Sequence, residues 1–285
     1  MSRVVDVPFV KGHGTRNDFV ILPDFDGLLD LTPERVRWLC DRRAGIGADG
    51  VLRVVRSARE PEFAQFADVA EFFMDHRNAD GSLAEMCGNG ARVFVRYLHA
   101  SGSLSSRSTV IATRAGLIEA EVLGAESEEI AIGMGAVHSE SSAPLPVSVQ
   151  HHERSWDAQP VHVPNPHAVA FVDSLEAVGD LTVAPQVTPA EVFPHGVNVE
   201  FVERLGPGHI RMRVHERGVG ETMSCGTGAC AAAWAAALLE PATDAFQVDV
   251  PGGTVWVDIA ADGQLTLRGP AELVARGTLQ WPRGL

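Results

Sequence analysis

Two short cysteine motifs are the stretches of this sequence whose residue types could do chemistry. Residues 86–92 read Met-Cys-Gly-Asn-Gly-Ala-Arg, and residues 224–230 read Ser-Cys-Gly-Thr-Gly-Ala-Cys. In each motif a cysteine precedes a Gly-x-Gly-Ala turn, and the residues that follow are alanine-rich or apolar at helical spacing. We therefore predict that Cys87 and Cys225 each lie at the N-terminus of a buried helix.

The start of a helix favours an anion, because its first N–H groups have no acceptor within the helix and the helix dipole is positive there. The anion could be the thiolate, a carboxylate of a substrate, or both. The dipole contributes about 0.3–1 kcal/mol, whereas lowering a pKa by one unit requires about 1.4 kcal/mol. A neighbouring base or charged group must therefore help to ionise either thiol.

Composition limits the classes of function. The chain has 285 residues and a formal net charge of -14, which predicts about two domains, a soluble protein and no nucleic-acid surface. No signal sequence and no apolar run of about 18 residues is present, which predicts a cytoplasmic protein without a membrane span. Lys11 is the only lysine, so an enzyme that uses pyridoxal phosphate would have to form its Schiff base there.

The two halves of the chain repeat the same plan. The cysteines are 138 positions apart, two further pairs are 139 apart and a fourth pair is 148 apart, as insertions into one of two copies would leave them. These pairs are Cys87 with Cys225, His76 with His215, Gly81 with Gly220, and Asn17 with Asn165. We predict two equivalent α+β domains, each with strands around a central helix that begins at a cysteine.

Local patterns predict the elements of each half. In the first half we predict a helix at 33–40 with Thr32 as its N-cap, a glycine-rich turn at 11–17, and strands at 3–10, 18–22, 51–55, 70–74, 110–113, 117–122 and 129–133. In the second half we predict a turn at 164–167, a short helix at 175–178, a turn at 215–222, and strands at 144–150, 161–163, 168–172 and 210–214, with turn and strand over 195–202.

If a pseudo-twofold axis relates the domains, the two thiols can face each other across one ligand. That arrangement suits inversion at an acidic carbon, where one thiolate removes a proton from one face and the other thiol delivers a proton to the opposite face. Backbone N–H groups after each cysteine would stabilise the enolate character of a carboxylate. Such chemistry requires neither a metal nor an organic cofactor.

Other interpretations of the cysteines remain. A zinc site is disfavoured because Cys225 and Cys230 are five positions apart and no His-x-x-x-His lies near them. Cys40 and Cys230 fall on apolar helical faces and are expected in the core. A protein that only binds amino acids would not need the thiols, and a redox protein would use a reversible disulfide between Cys87 and Cys225.

Several motifs together resemble the diaminopimelate epimerase family over essentially the whole chain. These enzymes need no cofactor and interconvert LL- and meso-diaminopimelate. The matching stretches are Gly-x-x-Asn-Asp-Phe at 14–19, Asn-Ala-Asp-Gly-Ser at 78–82, the first cysteine motif at 86–92, Asn-Pro-His at 165–167, Glu-Arg-Gly-Val-Gly-Glu-Thr at 216–222, and Cys-Gly-Thr-Gly at 225–228.

The resemblance implies a fold and a set of site residues. The fold would be α+β with two pseudo-symmetric domains of antiparallel strands rolled around a central helix, over 1–133 with a return strand at 271–285, and over 134–270. Cys87 and Cys225 would be acid and base, tuned and oriented by His167 and Glu216. The ligand would be held by Asn17, Asn78, Asn165, Asn198, Glu216 and Arg217, and its reacting carboxylate by the backbone of Gly88, Asn89, Gly226 and Thr227.

The resemblance further implies diaminopimelate as a small-molecule substrate, no metal or cofactor, and compatibility with a homodimer. Arg217 suits a bidentate grip on the distal carboxylate. Pro164 and His215 depart from the usual family pattern, which has Gly and an aromatic residue there. Proline-racemase-like enzymes have histidine after Met-Cys-Gly, where this chain has Asn89, and isomerases resembling phenazine-biosynthesis proteins lack the thiol pair.

Overall fold

The computed structural model describes residues 6–124, 128–137, 146–282 and 284–285. It divides into two compact units, the first formed by Met1–Ile132 with Pro270–Leu285 and the second by Gly133–Gly269. Cys87 belongs to the first unit and Cys225 to the second. Within the described ranges, no helix has the length and apolar character needed to cross a membrane.

The described residues form three α-helices and eighteen strands, of which two helices and seven strands lie in the first part of the chain. Helix α1 begins at Pro33 as predicted, and Oγ1 of its N-cap Thr32 accepts a hydrogen bond from Arg35 N at 3.3 Å. The elements are β1 (Asp6–Gly14), β2 (Asn17–Pro23), α1 (Pro33–Cys40), β3 (Gly50–Arg56), β4 (Phe72–Asn78), α2 (Gly88–Ala100), β5 (Ser108–Thr113), β6 (Gly116–Val122) and β7 (Glu129–Ala136).

The rest of the chain contains one α-helix and eleven strands. The predicted short helix is a 3-10 helix at Leu175–Val178. The other elements are β8 (Val147–His151), β9 (Arg154–Val163), β10 (Asn165–Phe171), β11 (Gln186–Thr188), β12 (Asn198–Gly206), β13 (His209–Glu216), β14 (Gly220–Thr222), α3 (Gly226–Leu239), β15 (Ala245–Val250), β16 (Gly253–Ile259), β17 (Gln264–Pro270) and β18 (Glu272–Gln280).

The same succession of strand pairings occurs in both units. In the first unit β1 to β7 pair in chain order, and the pairings β2–β3 and β4–β5 are parallel while the other four are antiparallel. In the second unit β9, β10, β12, β13, β15, β16 and β17 follow the same order, with β10–β12 and β13–β15 parallel. The predicted α+β class is confirmed, and the pairing is mixed rather than wholly antiparallel.

One further strand completes each series. β18 pairs antiparallel with β1 in the first unit, from Asp6 opposite Gln280 to His13 opposite Glu272. β8 pairs antiparallel with β9 in the second unit. The outer strand of the first unit therefore comes from the C-terminal part of the chain, after all of the second unit.

Each unit buries its cysteine-led helix among its strands. Helix α2 contacts β1, β2, β3, β4, β6 and β18, and helix α3 contacts β9, β10, β12, β13, β15 and β16. Seven of the fourteen residues of α3 are alanine, so strands can approach this helix closely on every side. Packing from all sides explains why α3 is apolar nearly all round, unlike an amphipathic surface helix, whereas α2 also buries the polar residues Asn89 and Arg92.

Some predicted boundaries were wrong. The turn predicted at 164–167 is confined to Pro164, because Asn165, Pro166 and His167 already belong to β10 and pair with β9. The strand predicted from residue 70 begins at Phe72. Residues 144–145 of the strand predicted at 144–150, and 3–5 of the first, lie outside the described residues.

The strand register changes which residue of the second unit is equivalent to His76. In the first unit Leu52 lies opposite His76, and in the second unit Glu200 lies opposite Val214. In the parallel pairs, Phe19 lies opposite Gly50 and His167 lies opposite Asn198. Leu52 and Glu200 each follow two residues later on their strands, so Leu52 is equivalent to Glu200. His76 therefore corresponds to Val214 and not to His215, as the offset of 139 had predicted.

Candidate active site

Cys87 is the N-cap of α2, as the motif predicts. Its backbone is extended, with φ -144° and ψ 117°, and its Sγ accepts a hydrogen bond from Gly90 N at 3.4 Å. The glycine-rich motif allows this geometry because Gly88 and Gly90 place no side chain over the sulfur atom. The thiol is half-buried at the end of the helix that the first unit surrounds.

Cys225 is the N-cap of α3 in nearly the same conformation. Its φ is -121° and its ψ is 116°, and its Sγ accepts from Gly228 N at 3.4 Å. A second hydrogen bond joins Sγ to Thr227 Oγ1 at 3.4 Å. Both predicted helix starts are confirmed, and each unit presents one cysteine to the N–H groups of a helix start.

An amide network holds the surroundings of Cys87. The thiol donates to Asn17 Oδ1 at 3.7 Å, and the same oxygen accepts from Asn89 Nδ2 at 3.3 Å. Asn17 Nδ2 donates to Asp49 Oδ2 at 2.9 Å. Asp49 thereby fixes which end of the Asn17 amide faces the cysteine.

A buried arginine ties this network to the β1–β2 turn. Arg92 Nη2 donates to Asn89 Oδ1 at 3.0 Å and to Thr15 Oγ1 at 3.1 Å. Thr15 and Arg16 form the turn with positive φ values of 48° and 63°, as two-residue hairpin turns require. This turn sets the start of β2, and with it Asn17.

Charged side chains surround the other side of the same turn. Asp18 pairs with Lys11 at 2.5 Å and with Arg42 at 2.7 Å, and Arg42 also pairs with Asp49 at 2.7 Å. Burial raises the pKa of Asp18, but hydrogen bonds from Arg42 and Lys11 outweigh it and hold the pKa well below the usual range. The single lysine of the chain is thus part of an ion-pair network beside Asn17.

Cys225 is surrounded by carboxyl groups, whereas Cys87 is surrounded by side-chain amides. Glu216, the last residue of β13, hydrogen bonds to the Cys225 side chain and accepts from Thr222 Oγ1. Burial raises the pKa of Cys225 well above its usual value, and the carboxyl groups of Glu216 and Glu200 raise it further. Burial and Glu200 likewise raise the pKa of Glu216, against the opposing effect of the Thr222 hydrogen bond. Burial and the two neighbouring carboxyl groups therefore favour the thiol form of Cys225 over the thiolate.

His167 is fully buried and held at both ring nitrogens. Nδ1 lies 2.7 Å from Glu200 Oε1, and Nε2 lies 3.0 Å from Asn165 Oδ1. The Glu200 side chain is also fully buried. The structure thus brings His167, Glu216 and Cys225 into one electrostatic cluster of the second unit, together with Glu200.

The remaining predicted ligand residues have local partners. Asn198 is buried, and its Oδ1 accepts from Arg217 N at 2.9 Å, which anchors the loop that carries the guanidinium. The Arg217 side chain donates to His195 O at 2.7 Å and borders a cavity of about 310 Å³ in the second unit. Asn78 is exposed at the end of β4, where its Nδ2 donates to Ser82 Oγ at 3.0 Å.

Asp49 and Glu200 belong to these networks, and neither was predicted as a site residue from the sequence. A signal existed for Glu200, since it interrupts the apolar strand Val197–Val202 at a position flanked by Val199 and Phe201. A charged residue within such a strand is rarely buried unless it is paired. Asp49 lies in a glycine-rich loop, where an acidic side chain carries no comparable signal. Among the described residues, no cluster of three His, Cys, Asp or Glu side chains could hold a metal ion.

Comparison with known proteins decides the family. The family model for diaminopimelate epimerase matches residues 9–139 and 160–274. The chain is 50% identical to the diaminopimelate epimerase of Streptomyces coelicolor, over 98% of each chain. It is 46% identical to that of Corynebacterium glutamicum, over 96% of this chain and 98% of the relative. The chain belongs to the diaminopimelate epimerase family.

Solved structures with low sequence identity share the fold of this family member. A phenazine biosynthesis protein of the PhzF family from Bacillus anthracis superposes with a TM-score of 0.67 at 17% identity, covering 96% of this chain and 99% of the other. A hydroxyproline epimerase from Agrobacterium vitis superposes with a TM-score of 0.62 at 14% identity, covering 96% and 92%. These likenesses show that the chain has the same fold as both structures.

Proposed function

We propose that this chain interconverts LL-2,6-diaminopimelate and meso-2,6-diaminopimelate without a cofactor, with Cys87 and Cys225 as its two proton-transfer groups. One observation carries the proposal: each unit presents a cysteine as the N-cap of a buried helix, in the same backbone conformation and with the same contact to the third helical N–H. Two thiols presented alike suit removal of a proton from one face of a carbon and delivery to the other.

The proton transfers balance without an external reagent. A thiolate takes the α-proton and becomes a thiol, and the carbon retains the electron pair, which spreads into the α-carboxylate. The second thiol then protonates the opposite face and becomes a thiolate. Because burial and the neighbouring carboxyl groups favour the thiol form of Cys225, we assign it as the proton donor in the direction in which Cys87 is the base.

Helix geometry supplies stabilisation for the charged carboxylate. In each motif the cysteine sulfur accepts from the third helical residue, Gly90 or Gly228. Each helix start points its first N–H groups, those of Gly88 and Asn89 or of Gly226 and Thr227, at the space before the helix, where an anion is favoured. We assign these backbone groups to the reacting carboxylate, where donors matched to a developing anion give a large share of the rate enhancement.

Side chains around the two motifs would hold the rest of the substrate. Arg217 lines the cavity of the second unit, so its guanidinium can pair with the distal carboxylate. Glu216, beside Cys225, can meet an ammonium group, and His167 tunes this side of the site. The amides of Asn17, Asn78, Asn165 and Asn198 are assigned to hydrogen bonds with the ligand.

The proposal also covers where the protein acts in the cell and how it assembles. An acidic chain of net charge -14 suits a biosynthetic enzyme of the cytoplasm that binds no nucleic acid. A homodimer is compatible with β18, which pairs with β1 and has no second strand partner among the described residues. Sedimentation at several protein concentrations measures that state, and a single monomeric species at micromolar concentration would contradict it.

The test follows stereochemistry and isotope together. The reduced protein is incubated with LL-diaminopimelate in deuterated water without an added cofactor. We expect meso product that carries solvent deuterium at the α-carbon, and we expect Cys87→Ala and Cys225→Ala to abolish its formation. Cys230→Ala is the matched control, because that cysteine is buried within α3 and contributes to the core.

Other outcomes select the alternatives. Retained ligand binding and unchanged function in both cysteine variants would indicate a protein that only binds amino acids. A requirement for oxidation would indicate a redox protein, whereas the proposed mechanism makes a disulfide inactive until it is reduced. Neither exchange nor inversion in folded, reduced protein would overturn the assignment.

A further inference from the structure

The His167–Glu200 pair is the most deeply buried acid-base pair of the second unit. The carboxylate Oε1 of Glu200 lies 2.7 Å from Nδ1 of His167, and both side chains are fully buried. The two residues stand on neighbouring parallel strands, where Val169 lies opposite Glu200. The fold therefore places the carboxylate against one particular ring nitrogen.

The second oxygen of Glu200 shows that the carboxylate is costly to bury. Oε2 is buried and has no hydrogen-bond partner among the described residues. A buried charged group normally has all its polar atoms paired, because each unpaired one loses its contacts with water. The contact of Glu200 with His167 is thus obtained at a cost to stability, as is typical of a group that serves a site.

The first unit shows what the fold requires at these positions. Phe19 and Leu52 are the equivalents of His167 and Glu200 by strand register. They pack under Gly90, where an added β-carbon would lie 3.4 Å from atoms of both side chains. An apolar pair therefore suffices to support the start of a cysteine-led helix, and the polar pair under Gly228 has another purpose.

We propose that Glu200 is a positioning residue for His167, which it holds with Nδ1–H directed at the carboxylate and Nε2 directed at Asn165. This inference rests on the proposed function. The equivalent register positions of the first unit hold the apolar pair Phe19 and Leu52, so the carboxylate that orients an imidazole is a feature of the second unit. A histidine held at one nitrogen has a defined tautomer and ring orientation, and this is how outer carboxylates tune functional histidines.

Charged groups from each neighbouring element bear on this pair. Glu216 on β13 faces it, and Cys225 at the start of α3 interacts electrostatically with both Glu216 and Glu200. Asn165 on β10 accepts or donates at Nε2, depending on the orientation of its amide. A change at Glu200 therefore acts on several interacting groups, and its effect on the His167 ring has to be measured at the ring itself.

The variants separate position from charge. Glu200→Leu installs the residue of the equivalent position in the first unit and removes the acceptor for Nδ1–H. Glu200→Gln keeps an oxygen acceptor and removes the charge. Glu203→Leu is the matched control, because Glu203 lies on the same strand but bonds Arg211 and Leu175 N instead of His167. Folding of each variant is checked by its thermal unfolding transition.

Two readouts test the role. We expect kcat/KM to fall by about 10- to 100-fold in Glu200→Leu, the range for partners that orient functional histidines, with Glu200→Gln between this variant and the wild type. Nitrogen-15 spectra should show protonated Nδ1 of His167 in the wild type and loss of that preference in Glu200→Leu.

The outcomes are separable from those of the proposed function. If Glu200→Leu keeps the Nδ1–H signal and matches Glu203→Leu in kcat/KM, the positioning role is overturned even when both cysteine variants are inactive. If Cys87→Ala and Cys225→Ala remain active, the proposed function fails, whereas the spectra still report on the Glu200 contact.

Discussion

Gly228 packs so closely against Glu200 that a β-carbon added at Gly228 would lie 2.7 Å from Glu200 Oε1. The equivalent β-carbon at Gly90 would lie 3.4 Å from the nearest atoms, which is an ordinary contact. Both glycines occupy the third position of a helix, where alanine adopts the same backbone conformation without strain. The two helix starts therefore tolerate a methyl group differently.

This difference gives a matched pair of variants. We expect Gly228→Ala to displace the Glu200 carboxylate and to lower kcat/KM by about 10- to 100-fold, the cost of misplacing an active-site group by about 1 Å. Gly90→Ala should lose less, because Leu52 and Phe19 accept the methyl group. Steady-state kinetics of both variants measure the difference, and equal losses would show that the contact with Glu200 does not matter.

His76 should make the protein sensitive to mild acid. Burial and, to a smaller extent, Arg114 lower the pKa of His76 to about 4, against the opposing effect of Asp75. Between pH 6.5 and 4 the unfolded chain binds a proton at His76 that the folded chain does not, so the free energy of unfolding falls as the pH is lowered through this range. The loss attributable to His76 is about 3 kcal/mol.

Urea unfolding at several pH values measures this effect. His76 Nδ1 is buried without a hydrogen-bond partner among the described residues, so His76→Leu removes the titration without breaking a bond at that atom. The contributions of the other titrating groups cancel when the free energy of unfolding of the variant is subtracted from that of the wild type. If this difference in unfolding free energy stays the same from pH 7 to pH 4, it contradicts the conclusion that His76 is buried and neutral.

Asp75 is the centre of a buried cluster of arginines in the first unit. It accepts hydrogen bonds from Arg77 at 2.7 Å and from Arg114 at 2.6 Å, and it lies 3.5 Å from Arg53. Asp75→Asn leaves these guanidinium groups without their shared countercharge, and breaking a buried pair in this way costs about 3–5 kcal/mol of stability.

The exposed pair of Asp26 with Arg56 at 3.5 Å supplies the control. Asp26→Asn should change the free energy of unfolding by less than about 1 kcal/mol, because solvent screens an exposed pair. Chemical denaturation of both variants at pH 7 makes the comparison. Equal stability of the two would mean that the Asp75 cluster is solvated in solution.

Asp49 should affect kcat/KM, because it orients Asn17, more than it affects the stability of the fold. Its Oδ2 accepts from Asn17 Nδ2 at 2.9 Å and from Asp18 N at 3.1 Å, and this fixes Asn17 Oδ1 toward Cys87. We expect Asp49→Ala to lower kcat/KM by about tenfold, as loss of an outer hydrogen-bond partner does in other sites. Asp30→Ala removes another exposed carboxylate, one paired with Arg35, and should keep the wild-type value.

Local signals were sufficient for the helix starts. A cysteine followed by Gly-x-Gly and an apolar run fixes the cap, the close approach and the buried helix within about ten residues, so Cys87 and Cys225 could be placed from the sequence. Thr32 with Pro33 predicted α1 in the same way. The α+β class followed from strands that alternate with only a few helical stretches.

Non-local pairing could not be read from the sequence. Asn-Pro-His at 165–167 has the composition of a turn, but β9 extends its pairing to these residues, and Pro166 stands just before β12 begins to pair at His167. A proline is tolerated at the start of a strand, where the missing N–H is not needed. The parallel pairings, and with them the Glu200 contact to His167, depend on strands that are distant in sequence.

The pairing of β18 with β1 has a consequence for synthesis on the ribosome. Residues 272–280 supply the neighbour of β1, so the first unit must wait for its outer strand while residues 133–269 are made and can complete their own sheet. Chains usually fold from the N-terminal domain onward. Here the second unit can mature first, and until residues 272–280 have been made nascent chains expose one edge of β1, the kind of edge that chaperones protect.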